Sequence, residues 1–393
     1  MKSYCKNVNI EDRDYIKKQV TGFIYSRNKK QRPSLAGYLR EFNKDIPKDE
    51  LIELIKQKSE KLEPYIEAVT DELIGEINGR NLVVKPVKYE ERIDHNSGKK
   101  RLIGLQSTKH KIYDYIAVQS LMPLYKAKIG ASQFASIEGR GQVKGKQTIE
   151  KWLRSEKLNL RYCIKADIRK CYESVPLDIV YEVYESQVKN ESLLWFIKTL
   201  FGLFKHGLLI GSPLSMWTCN YILSFVYHYI KERLYKIRRH KIIPLVRKVA
   251  FFMDDFALFG SSLSDLNKAF KSVRSYIYNH FRLVVKDDYR IFRLQYLVNG
   301  IIHGQSVDMM GYRIGLVTTI RRRIFVRLRR TLMRLERSLL IEPRQARRLV
   351  SYLGWAINSN MRNFCKDHKT IIFKAKGVLK NGKSNGYIAT ADC

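Results

Sequence analysis

The sequence predicts an α+β fold: an antiparallel sheet with helices on one face, preceded and followed by helical segments. Three observations predict it. Residues 161–314 read as a strand, helices, two strands, a helix and further strands; residues 82–105 alternate about a polar turn; residues from 319 onward are helical and crowded with arginine.

Taken in order, residues 1–81 are polar and lysine-rich, with Leu51, Leu54, Ile55, Leu62 and Ile66 spaced to share a helix face. In 82–105, LVVKPVKYEERI alternates, His95-Asn96-Ser97-Gly98 supplies a turn, and KKRLIGL returns, which predicts a basic hairpin. A helix is expected over 107–128, then a polar glycine-containing stretch, then helix at about 145–155. RYCIKAD (161–167) reads as a strand ending on an acid, with helices at 176–187, 193–205 and 213–234. Residues 248–259 read as two short strands joined at Asp254-Asp255. Ser264 is expected to cap a helix with Leu266, Phe270, Val273 and Ile277 on one face. Strands follow at about 282–294 and 307–314, and beyond Lys369 a flexible tail is expected.

The 393 residues carry 73 Lys+Arg against 38 Asp+Glu, a formal charge of +35. Such a charge repels itself unless a polyanion neutralises it, which points to nucleic acid ahead of an anionic membrane and away from a secreted small-molecule enzyme. Residues 321–348 hold eleven arginines, no lysine and two acids. Guanidinium groups suit bidentate phosphate contacts, so Arg321, Arg322, Arg323, Arg329 and Arg330 are the candidate nucleic-acid-binding residues. The six cysteines are scattered, the histidines do not cluster with them, and the N-terminal residues lack an apolar signal segment. A reduced, cytoplasmic protein without zinc is expected. Residues 207–230 contain no Asp, Glu, Lys or Arg, but Gly211, Ser212, Pro213 and Asn220 interrupt them, favouring a buried helix over a membrane span.

The run 251–259, FFMDDFALF, sets Asp254 and Asp255 inside an otherwise apolar segment. Two carboxylates between buried strands repel unless a cation neutralises them. Asp287-Asp288, beside Lys286 and Tyr289, is the solvated counterpart. A third acid, Asp167, ends another apolar strand. Three acids at strand ends can hold two hard cations about 3.5–4 Å apart, the arrangement that drives phosphoryl transfer.

Phe252-Met253-Asp254-Asp255 resembles the Tyr/Phe-x-Asp-Asp box of reverse transcriptases. Residues 163–172, with Asp167 followed five positions later by Tyr172, resemble the first palm motif, and residues 207–215 resemble the Gly-x-x-x-Ser loop that opens a long helix. All three lie in family order. Asp308-Met309-Met310-Gly311-Tyr312-Arg313 is similar to the primer-grip strand and Gly98-Lys99-Lys100-Arg101-Leu102 to the fingers hairpin, so the match covers about 82–360. The resemblance implies a right-hand polymerase with an N-terminal helical extension (1–81), fingers (82–160), antiparallel-sheet palm (161–318), helical basic thumb (319–368) and flexible basic tail (369–393). It implies an RNA-directed DNA polymerase that takes template RNA, RNA–DNA hybrid and deoxynucleoside triphosphates, uses two Mg²⁺ ions for which Mn²⁺ can substitute, and needs no membrane.

By the same resemblance, Asp167, Asp254 and Asp255 would be catalytic and bind metal. Arg101 would grip the triphosphate, Arg140 would contact the nucleotide from a second fingers motif, and Tyr172 would exclude a 2′-hydroxyl. Ile210 and Gly211 would form the nucleotide pocket, and Lys286 would protonate pyrophosphate. Group II intron and retron enzymes usually carry Gln at the position of Ile210, whereas enzymes of diversity-generating retroelements carry an aliphatic residue there. The latter usually follow the motif serine with Gln, where this chain has Met216. The thumb segment Ser351-Tyr352-Leu353-Gly354-Trp355 is similar to that of compact bacterial enzymes. The subgroup resemblance implies low fidelity and a small basic accessory protein as a partner. A phage-defence enzyme making template-poor or protein-primed DNA, and a non-catalytic RNA-binding splicing cofactor, are the competing readings.

Overall fold

Strands form where apolar residues can be buried by neighbours on the sheet, and Cys163, Ile164 and Ala166 of Tyr162–Asp167 are buried in this way. The computed structural model describes residues 3–93, 98, 100–205 and 207–384. In it, Tyr162–Asp167 is a central strand of a four-stranded antiparallel sheet ordered Lys248–Phe252, Asp255–Gly260, Tyr162–Asp167, Arg290–Arg293. Val249, Ala250 and Phe251 on one neighbour and Phe256 to Phe259 on the next are also buried, so this end of the sheet is apolar on both faces. The join between Lys248–Phe252 and Asp255–Gly260 is Met253-Asp254, one residue earlier than the sequence reading placed it, and Asp255 already belongs to the second strand. Met253 takes a φ of 55°, a left-handed conformation unfavourable for a residue with a Cβ, beside the first acid.

Contacts group the chain into two units, Met1–Ala131 with Ile168–Tyr229 and Ser272–Lys286, and Ser132–Asp167 with Ile230–Lys271 and Asp287–Cys393. The second unit holds the four-stranded sheet, a three-stranded sheet (Val307–Met309, Tyr312–Ile314, Thr319–Ile320) and the helices Gln142–Leu153, Arg322–Glu336, Pro343–Ile357 and Lys369–Ser384. Leu328, Leu332 and Leu335 recur every three or four residues and are buried, which leaves the arginines of that helix on its other face. They join Leu349, Leu353, Met309 and Tyr312 in one core.

The first unit is mostly helical: Arg13–Tyr25, Arg32–Leu39, Lys48–Gln57, Glu63–Asn78, Thr108–Lys128, Leu177–Glu185, Glu191–Gly202 and the larger part of Pro213–Glu232. The basic hairpin pairs Lys88–Ile93 with Lys100–Leu105, placing Arg92 opposite Arg101; its expected turn residues His95, Asn96 and Ser97 lie outside the described residues. In Pro213–Glu232, Leu214, Cys219, Tyr221, Ile222, Leu223 and Val226 are buried against protein. Among the described residues, no helix is long and apolar enough to cross a membrane.

Several expectations are corrected. Residues expected as a flexible tail from 369 form the helix Lys369–Ser384, because Ile371 and Ala375, four apart, share a buried face; residues 385–393 lie outside the described residues. The cap of Leu263–Phe281 is Ser262 rather than Ser264, its hydroxyl accepting the Asp265 N–H at 3.3 Å. The strand expected at 282–294 is confined to Arg290–Arg293, with a lone bridge between Ile168 and Val285 before it. The strand expected at 307–314 is broken at Met310-Gly311, both at positive φ. Two hairpins escaped the sequence reading: Tyr235–Arg238 with Lys241–Pro244, and Tyr296–Val298 with Ile301–His303. The second turns on Asn299-Gly300, whose paired positive φ values are those a two-residue hairpin turn requires.

Gly311 tests this packing, because its φ of +82° disfavours any Cβ and an added Cβ would lie 2.2 Å from the Trp355 ring. Gly311→Ala is expected to lower unfolding stability by about 2–4 kcal/mol, measured by urea denaturation.

Candidate active site

The antiparallel register sets Asp167 opposite Asp255 at the last pair of their ladder. The tight turn then brings Asp254 beside Asp167, close enough for their side chains to share a hydrogen bond. Burial, then the Asp167 charge and that shared bond, push the Asp254 carboxyl up to about 7 from its ordinary value near 3.8. Asp255 is also raised by burial, against the opposing pull of Lys165 and, more weakly, Arg321. Lys165 Nζ lies 2.7 Å from Asp255 Oδ1 as an ion pair, in a direction that leaves that oxygen without a hydrogen bond. Arg321 Nε donates to Asp308 Oδ1 at 2.5 Å. A polar cavity of about 260 Å³ lies against Asp167, lined also by Lys165, Arg290, Gln305, Ser306 and Asp308.

The donor set fits a hard divalent cation. Asp167 and Asp254 are carboxylates pressed together in a partly desolvated place, and a cation would neutralise the charge that raises the Asp254 carboxyl. Among the described residues no three His, Cys, Asp or Glu side chains converge to hold a metal ion. Two of the acids do face each other, while Asp255 is engaged by Lys165.

The remaining predicted residues fall into two sets. Arg140 is in the same unit as the acids, its Nη1 donating to the Gln133 carbonyl at 2.9 Å, and Gln133 bridges to Phe251 on Lys248–Phe252, the strand that leads into the acids. Arg101, Tyr172, Ile210, Gly211 and Lys286 belong to the other unit. There the loop 207–212, which holds Ile210 and Gly211, is bonded to Tyr172 and to the strand that carries Arg101. The Leu208 N–H donates to the Tyr172 carbonyl at 2.8 Å, and the Gly104 N–H, three residues past Arg101, donates to the Ile210 carbonyl at 3.0 Å. Glycine is obligatory twice here: a Cβ on Gly207 would sit 2.7 Å from the Tyr172 carbonyl oxygen, and one on Gly211, at φ +111°, would sit 3.0 Å from that of Gly104. Lys286 directly follows Val285, which bridges to Ile168. Asp287 and Asp288 are exposed, as their polar flanks predict.

Of the arginines, Arg322, Arg323, Arg329 and Arg330 are exposed on Arg322–Glu336, whereas Arg321 precedes the helix and pairs with Asp308. Lys165 escaped the sequence reading, although its place two residues before Asp167 puts both on one side of a strand. Asp114 escaped it too. This acid lies in the apolar run 112–118 of Thr108–Lys128, is fully buried, and accepts the Ser212 hydroxyl at 2.5 Å.

Residues 91–314 match the family model described as reverse transcriptase (RNA-dependent DNA polymerase). Among solved structures, the chain is similar to telomerase from Candida albicans in complex with a TWJ fragment of telomeric RNA, at 13% identity over 78% of this chain and 60% of that one, with a TM-score of 0.43. It is similar to apo telomerase from Candida tropicalis at 13% identity over 77% and 58%, TM-score 0.42. A form of that protein truncated from its C-terminal domain gives 14% identity over 61% and 56%, TM-score 0.39. The chain thus spans about six-tenths of the length of these structures or slightly less. No curated protein matches it in sequence.

The raised Asp254 gives a signed pH prediction. A carboxyl whose folded value exceeds its unfolded one contributes stability that is complete below the unfolded value and is lost as pH rises through about 7. Metal-free Asp254→Asn protein should therefore melt above wild type at pH 8, with the gap closing by about pH 4, as scanning calorimetry at the two pH values would show.

Proposed function

The chain belongs to the reverse transcriptase family, with its right-hand polymerase fold, and from that premise we propose that it is the RNA-directed DNA polymerase of a bacterial retroelement. It copies a template RNA into complementary DNA by nucleotidyl transfer from deoxynucleoside triphosphates. The observation that carries this reading is the Asp167–Asp254 pair, two carboxylates held together at the buried end of the sheet, where a cation would relieve their repulsion. Two divalent ions, Mg²⁺ with Mn²⁺ able to substitute, would supply charge neutralisation for the attacking and leaving oxygens.

The chain's own residues have distinct tasks in this proposal. Asp167 and Asp254 hold the ions, and Asp255, oriented by Lys165, completes the negative field. Tyr172 presents its ring where a 2′-hydroxyl would clash, Arg101 binds the triphosphate with Arg140 as a further contact, and Lys286 delivers a proton to pyrophosphate. Arg322, Arg323, Arg329 and Arg330 line one helix face and follow the phosphates of an RNA–DNA hybrid. Arg321, committed to Asp308, serves the acidic site more than the backbone.

Low fidelity is part of the proposal. Ile210 is half-buried, its side chain carries neither donor nor acceptor, and its backbone carbonyl accepts the Gly104 N–H. A side chain without donor or acceptor discriminates by shape alone, at roughly 1–3 kcal/mol, whereas a polar one leaves groups unpaired when a base pair is misaligned. This supports a diversity-generating retroelement, with its small basic accessory protein, over a group II intron or retron enzyme.

Primer extension on an RNA template tests the activity: Asp254→Asn should abolish synthesis while leaving RNA affinity within about threefold, since phosphate contacts elsewhere supply most of the binding. A mutant as active as wild type would remove the metal assignment. Replacing Arg322, Arg329 and Arg330 by Gln should flatten the logarithmic salt dependence of hybrid binding by roughly 0.7–0.9 per arginine, read by fluorescence anisotropy across a salt series. Ile210→Gln should lower misincorporation per template base in sequenced cDNA with total synthesis preserved; equal error rates would make Ile210 a packing residue.

A further inference from the structure

Asp114 has no exposed surface and lies in the apolar run Ile112-Tyr113-Asp114-Tyr115-Ile116 of Thr108–Lys128. A buried carboxylate is costly unless donors surround it. Its Oδ2 accepts the Ser212 hydroxyl at 2.5 Å and the Gln106 amide at 3.0 Å, and the carboxylate also takes the Leu214 backbone N–H, at the first turn of Pro213–Glu232. Its Oδ1 has no hydrogen bond and faces His110 Nε2 at 3.9 Å.

The bonds continue from Asp114 into the glycine loop. The Ser215 N–H donates to Ser212 Oγ at 3.1 Å, the Leu209 N–H donates to Ser215 Oγ at 2.9 Å, and the Gly104 N–H donates to the Ile210 carbonyl at 3.0 Å. The Leu209 side chain fills the space where a Cβ on Gly104 would go. Helix, hairpin and loop therefore share one polar network with a single acid at its root.

We propose that Asp114 is a positioning residue, whose buried carboxylate fixes Ser212 and Leu214 and through them holds Ile210 and Gly211 in the shape that receives the incoming nucleotide. This rests on reading the loop as the nucleotide pocket of a polymerase. Charge is central to the role, because an ionised acceptor binds its donors about twice as strongly as a neutral one.

The groups facing Asp114 favour the role over plain packing. Burial pushes its carboxyl up to about 6, with Ser212, Gln106, Leu214 and, at longer range, Lys111 opposing the rise. His110, stacked on Phe204 and pushed down to about 4 by burial, is neutral, and among the described residues the hydrogen-bonded partners Gln106 and Ser212, with Ser215 beyond them, are uncharged. The stability that Asp114 contributes is complete below the ordinary aspartate value and is lost as pH rises through about 6. At pH 8 the fold thus retains an ionised acid against its own stability, as sites kept for function do.

The test is single-nucleotide incorporation by the full chain on a primed RNA template at pH 8, with melting temperatures measured in parallel. Asp114→Asn keeps the shape and removes the charge. It should raise KM for the deoxynucleotide about tenfold, the weight of one charge-assisted hydrogen bond, with kcat within about threefold of wild type and the melting temperature unchanged or higher. Ser212→Ala should give the same KM shift, and the double variant should be no worse than either single, since all three cut one chain of bonds. A wild-type KM in Asp114→Asn, or a kcat loss that merely follows a lowered melting temperature, overturns the proposal. If Asp114→Asn does not fold, Ser212→Ala alone decides, and a wild-type KM there overturns it equally. Wild type and Asp254→Asn serve as the controls: an active wild type and an inactive Asp254→Asn beside a normal Asp114→Asn remove only the positioning role, whereas a wild-type chain that incorporates no nucleotide removes the polymerase reading beneath it.

Discussion

The approach of Asp167 to Asp254 is the constraint on which the site depends. Repulsion between two carboxylates grows as water is excluded, and both sit beside strands of the sheet that are buried on both faces, Lys248–Phe252 and Asp255–Gly260. Left to themselves they would separate. They are kept together by backbone: the six-residue ladder between Tyr162–Asp167 and Asp255–Gly260 fixes one, and a two-residue turn with Met253 in a left-handed conformation fixes the other. The sheet thus brings two like charges together at one point, and the Asp254 carboxyl is raised as a result. Lys165 keeps the third acid from adding fully to that repulsion, because its ammonium pairs with Asp255 from the next strand.

A second constraint operates in the helical unit, where the loop 207–212 is held by backbone contacts too close for side chains. Gly207 fits beneath the carbonyls of Tyr172 and Glu173, Gly104 beneath Leu209, and Gly211 beside the Gly104 carbonyl. Arg101, Tyr172, Ile210 and Gly211 are distant in sequence, yet their backbones are tied within a few hydrogen bonds of one another. Such coupling transmits small displacements, since close-packed groups shift together. It also explains why a buried acid under the loop can matter to a pocket it does not itself line.

The excess positive charge is sorted by helix periodicity. On Arg322–Glu336, leucines at 328, 332 and 335 face a core built with Pro343–Ile357 and Lys369–Ser384, so the arginines between them are directed to solvent. Arg321 is the exception, because it precedes the first turn and lies where Asp308 can reach it. One residue of offset thus separates a charge serving the acidic cluster from charges available to a polyanion.

Periodicity and local chemistry made much of this legible in the sequence. The strand 161–167 ending on an acid, the apolar run around Asp254-Asp255, the arginine-rich helical segment and the Gly-x-x-x-Ser loop are each read from neighbouring residues alone. Even misses such as the Asn299-Gly300 hairpin and the helix at 369–384 carried local signals that were available to be read. What sequence could not determine depended on contacts between segments far apart in the chain. The hydrogen bond between Asp167 and Asp254, the capture of Asp255 by Lys165, the pairing of Arg321 with Asp308 and the burial of Asp114 beneath Ser212 are products of strand register and helix packing. Residue types and their periodicity determined which groups were present and which elements carried them. Only tertiary structure decided which charges meet out of water, because desolvation and distance, which set the strength of every such interaction, are properties of the packed chain and not of any segment within it.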